Sequence, residues 1–78
     1  MLVNVGRLEE AVAQYTAGLE VALDDAVIHY NLGVALEGMG RLREAAAEYE
    51  EALRLRPDFT QAREGLVRVT GGTPSSAA

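Results

Sequence analysis

Gly6-Arg7-Leu8-Glu9-Glu10-Ala11-Val12-Ala13-Gln14-Tyr15 returns 34 residues later as Gly40-Arg41-Leu42-Arg43-Glu44-Ala45-Ala46-Ala47-Glu48-Tyr49, and the match runs on to Leu19 over Leu53. Within the second copy Leu42, Ala45, Tyr49 and Ala52 step by three, four and three, the spacing of one helix face. A unit that recurs at a fixed period of about 20–50 residues cannot bury its apolar face alone and stacks on its neighbours. The expected fold is therefore all-α, with antiparallel helical hairpins stacked as a short right-handed solenoid.

The breakers divide the chain at regular places. Asp24 and Asp25 precede an apolar-periodic run and can cap its start. Gly38 and Gly40 end that run. Pro57 ends the next, because the residue before a proline avoids the helical region. Asp58 or Thr60 can cap a last helix, which Gly71-Gly72 stop. Four helices are predicted, over Arg7–Ala22, Val27–Met39, Leu42–Leu55 and Gln61–Val69, with a helix remnant over Met1–Val5. Ile28, Leu32, Ala35 and Met39 form the inner stripe of the second helix, and Leu32 and Tyr49 are expected among the most buried side chains. Gly33, Ala45 and Ala52 are small enough to let helix axes approach closely. Residues 71–78 are small and polar and are expected to be a disordered tail.

Composition narrows the function. At 78 residues the chain is one domain at most. Its net charge of −5 gives no basic face to displace counterions, so nucleic acid is not an expected partner. A polybasic membrane contact has no support either. There is no cysteine, which excludes disulfides, thiol catalysis and Cys-ligated zinc. Met1–Leu8 shows no basic region followed by a long apolar run, so a cytoplasmic chain without a signal peptide is expected.

Residues 26–59 resemble one complete tetratricopeptide repeat. The likeness rests on Tyr30-Asn31-Leu32-Gly33, Ala35-Leu36, Gly40, Leu42, Glu44-Ala45, Tyr49, Ala52-Leu53, Leu55 and Pro57. Residues 6–23 resemble the second half of a preceding repeat, and 60–70 the first helix of a following one. The domain is thus expected over 1–70, divided into a partial repeat at 1–25, a full one at 26–59 and a partial or capping helix at 60–70. Leu23 stands where the pattern has proline, and Gly18 where the later copy has Ala52. About three repeats are usually needed for a continuous core. One and two halves read as a piece of a longer array, or as a module whose open ends pair with something, including a homo-oligomer through its uncovered terminal helices.

No catalytic, cofactor or metal site is expected. His29 is the only histidine, and a site needs convergent groups. It shares a face with Leu32, Gly33 and Leu36 and is expected to pack within the hairpin. Asp24-Asp25 read as capping and helix-start charge, and Glu51 with Arg54 as surface pairing. One feature is left over. Val27, Tyr30, Asn31, Val34 and Gly38 make a second stripe well away from the inner one. A helix apolar on two separated stripes is either buried on both or offers one to a partner. The resemblance implies that this second stripe lines the concave groove where such arrays take peptides, with the Asn31 amide gripping ligand backbone. The expected binding residues are Val27, Tyr30, Asn31 and Val34, with Glu37 at the edge favouring a neutral or basic ligand. The chain is expected to be no enzyme but an interaction module that binds a protein or peptide. The alternative is an accessory, substrate-recruiting region or fragment of a larger enzyme.

Overall fold

A computed structural model of the chain describes residues 5–22 and 24–71. They form four helices: α1 Val5–Val21, α2 Ala26–Gly38, α3 Leu42–Leu55 and α4 Thr60–Val69. All four expected helices are present, with ends shifted by two residues or fewer. Val5 belongs to α1 rather than to an earlier remnant. Met1–Asn4, Leu23 and residues 72–78 lie outside the described residues, so the expected remnant, the first junction and the tail are not described.

Each helix packs on the next, α1 on α2, α2 on α3, α3 on α4, and α4 also touches α2. This serial contact is an all-α stack of hairpins. The ends of α2 explain why it is the best-defined hairpin arm. Asp25 is its N-cap, accepting from the amides of Val27 at 2.9 Å and Ile28 at 3.2 Å. At the other end Gly40 takes φ +80°, which only glycine adopts without strain. The Arg41 and Gly40 amides then reach back to the carbonyls of Leu36 at 2.9 Å and Glu37 at 3.0 Å. That is a Schellman close, and it turns the chain into α3 within three residues.

The start of α4 differs from expectation. Phe59 occupies the cap position and makes no side-chain cap bond, so neither Asp58 nor Thr60 caps this helix. Phe59 is held there by its ring, whose centroid lies 5.1 Å from that of Tyr30. The Arg63 guanidinium donates to the Pro57 carbonyl at 2.8 Å and ties the turn from its other side.

The core runs through the middle of the stack: Leu19 from α1, Leu32 and Leu36 from α2, Ala45, Tyr49 and Ala52 from α3, and Ala62 from α4. Tyr49 is the largest fully buried side chain. It fits because glycines flank its ring. A Cβ on Gly33 would stand 2.8 Å from its Cε1, and one on Gly65 would stand 2.6 Å from its Cζ. The expected close approach at Gly33 is therefore real, and its partner is the Tyr49 ring.

Candidate functional site

Of the expected inner stripe of α2, Leu32 and Ala35 are buried and Ile28 and Met39 half-buried, with Leu36 buried beside them. The other stripe faces out. Val27 is 46% exposed and Val34 42%, which is high for large apolar side chains on a helix whose opposite side is core. Tyr30 and Asn31 lie between them and Glu37 one turn beyond Val34, all three half-buried. The five residues step along one side of α2, so the helix brings them together.

The site does not end at α2. One period further on, Gln61, Glu64, Gly65 and Arg68 correspond to Val27, Tyr30, Asn31 and Val34. Two contacts show that α4 stands beside the same face. One is the Tyr30–Phe59 ring pair. The other is a forked ion pair, in which Arg68 donates from Nε to Glu37 Oε2 at 2.6 Å and from Nη2 to Glu37 Oε1 at 2.9 Å. The Tyr49 hydroxyl donates to the same Oε1 at 2.8 Å. A carboxylate that receives this many donors stays ionised, and the Arg68 hydrogen bond first, then the Tyr49 hydroxyl, holds the Glu37 carboxyl below its ordinary range. Burial, with the Glu37 charge beside it, pushes the Tyr49 phenol well up.

Glu37 was expected at the groove edge, favouring a neutral or basic ligand. The structure pairs its charge with Arg68, because the packing of α4 brings a guanidinium within reach. Tyr30 is also engaged within the fold. Its ring centroid lies 5.8 Å from that of Tyr49 and belongs to an aromatic row, Tyr49–Tyr30–Phe59. The residues that sequence reasoning missed are Arg68 and Glu48. The 34-residue offset from Val34 to Arg68 was the available signal for the first. For Glu48 there was none beyond proximity across the hairpin.

His29 is buried in the α2–α3 hairpin, as expected, and its Nδ1 lies 2.7 Å from Glu48 Oε1. Arg54 pairs with Glu51 on the surface of α3, with Nε at 3.0 Å from Oε2. Among the described residues no group of three His, Asp or Glu side chains is placed to hold a metal ion. No described helix is long and apolar enough to cross a membrane.

Hairpins stacked in series, with half-exposed apolar side chains along one helix face, define a helical-repeat scaffold. Family models agree. Tetratricopeptide repeat models match residues 26–59 and residues 1–40. The chain belongs to the tetratricopeptide repeat family, whose repeats are non-catalytic modules that generally mediate protein interactions. Over 65 residues, 83% of its length, the chain is 37% identical to protein arginine N-methyltransferase 9 of Homo sapiens, and the figures are the same for that of Mus musculus. It spans only about 8% of the length of these relatives. No solved structure matches it significantly.

Proposed function

We propose that the chain is a cytoplasmic scaffold module that docks a peptide or partner protein along the concave side of its stack, against Val27, Tyr30, Asn31 and Val34, with residues 1–70 acting as one repeat domain. The observation that carries this reading is the exposure of Val27 and Val34 on a helix whose other side is core. Apolar side chains left in water on a rigid element gain free energy when covered, at about 25 cal/mol per Å². Asn31 beside them both donates and accepts, which suits the backbone of an extended peptide. Tyr30, braced by Phe59 and Tyr49, offers a ring edge at low entropic cost.

The test uses exposed Val34 and half-buried Asn31 rather than Tyr30, whose loss would also open the aromatic row. Val34→Asp and Asn31→Ala should weaken capture of a bound partner while the helical circular-dichroism signal stays nearly intact. Unfolding with no separate loss of binding would show that the stripe is core.

A second reading is favoured by the likeness to an enzyme named for arginine methylation. In it the repeat recruits a protein substrate and the chemistry lies outside these residues. Deleting the repeat from such an enzyme should raise KM for protein substrates and spare kcat. A change in kcat alone would count against recruitment.

A further inference from the structure

The charges around the docking face do not balance, and their placement names a ligand. Glu37 and Arg68 cancel each other in their forked pair. What is left on α4 is Glu64, exposed, one period beyond Tyr30. At the Val27 end a shallow cleft is lined by Ala22, Asp24, Asp25, Ala26, Val27, Leu55 and Arg56. There Asp25 caps α2, Asp24 is exposed, and Arg56 lies over the Phe59 ring at 5.6 Å from its centroid. Arg63 stands one period beyond His29, on the side of α4 turned away from this face, and is bonded to the Pro57 carbonyl. The face and its end cleft thus carry four acids, Asp24, Asp25, Glu37 and Glu64, against two arginines, Arg56 and Arg68. An acidic segment laid along it meets a surplus of like charge, whereas a basic one gains pairs with Glu64 and Asp24. The chain's overall charge of −5 adds the same sign at longer range.

We propose that this two-helix face selects an extended peptide segment carrying arginine or lysine next to an apolar side chain, with Glu64 and Asp24 as the acids that choose it. The proposal rests on the docking reading above and adds the chemistry of the partner. The apolar side chain settles on Val27 and Val34, the backbone meets Asn31, and the cationic side chain reaches across to Glu64. Glu37 takes no part in selection, because Arg68 and Tyr49 occupy it.

The experiment measures fluorescence anisotropy of the intact chain with three labelled peptides of equal length and apolar content, one with two arginines, one neutral and one with two glutamates. At low salt the arginine peptide should bind about tenfold more tightly than the glutamate peptide, and the gap should shrink at high salt. Glu64→Gln should cut the preference about three- to fivefold, and Glu64→Arg should level or reverse it. Glu10→Gln removes the same charge from exposed α1 and should leave the preference unchanged. Equal binding of all three peptides, or a preference for glutamate, overturns the charge assignment and leaves the docking face standing. An equal loss from Glu10→Gln overturns it too, since net charge alone would then explain the preference. Failure of every peptide to bind overturns the docking reading together with this one.

Discussion

Tyr49 shows how much one residue can organise in a short chain. Its ring fills the space between α2 and α4, and its hydroxyl avoids an orphaned donor by reaching Glu37. The glycines against its ring and the one in α1 follow opposite rules. Gly33→Ala and Gly65→Ala should each destabilise by about 1–3 kcal/mol, since a Cβ would stand under 3 Å from a buried ring that has nowhere to go. Gly18→Ala should instead raise the melting temperature. Its Cβ would meet only the end of the Ile28 side chain, at 3.4 Å, and alanine favours helix over glycine by about 1 kcal/mol. Leu32→Ala should cost about 2–5 kcal/mol, a large part of what so thin a core supplies. Thermal or denaturant melts of these four variants check the scheme, and a stabilised Gly65→Ala would refute the wedge.

At the scale of elements, the helices are held by different means. Both ends of α2 are closed by local hydrogen bonds, the Asp25 cap and the Gly40 turn. Asp25→Ala should therefore cost about 1 kcal/mol, read by chemical denaturation. The α4 start has no such cap and depends on the tilted contact of the Phe59 ring with Tyr30. Phe59→Ser would supply a capping hydroxyl but remove the ring, and the net effect should be destabilising because burial of an aromatic outweighs a cap. Hydrogen exchange should find α4 opening before α2 and α3. Equal protection across the three helices would contradict this order.

For the whole molecule, the Tyr49–Glu37–Arg68 chain couples three helices to pH. The Glu37 carboxyl is held below its ordinary 4.5, so the folded state binds its proton more weakly than the unfolded state does. Its stabilisation is present above that value and is lost as pH falls through the lower folded one. The Tyr49 phenol is raised above its ordinary 10.0, so the folded state holds that proton more tightly. That contribution is complete below pH 10.0 and is lost as pH rises beyond it. The melting temperature should fall on both flanks. Glu37→Gln should flatten the acid limb in part and Tyr49→Phe the alkaline one. Unchanged limbs in both variants would show the network to be energetically idle. The ends of the stack act at the same scale. Ala11, Tyr15 and Gly18 of α1 are only half-buried, while their counterparts Ala45, Tyr49 and Ala52 are fully covered. Such faces favour association, so light scattering should show self-association that rises with concentration. A constant monomer with a high melting point would argue against it.

The sequence by itself determined the helices, their order and the repeat. Periodicity, capping residues and turn glycines are local, and local chemistry is legible in a linear string. It placed Leu32, Tyr49 and His29 inside correctly for the same reason, since helical phase decides which side a residue faces. It did not show that Glu37 pairs with Arg68, and it missed how α4 starts. In both cases the decision lies in contacts across 12 or more positions, between Glu37 and Arg68, 31 residues apart, or between Tyr30 and the Phe59 ring. Only the tertiary structure decided which acid is spent and which is left. A charge is free or satisfied according to what stands within about 3 Å of it, and helix stacking sets that distance.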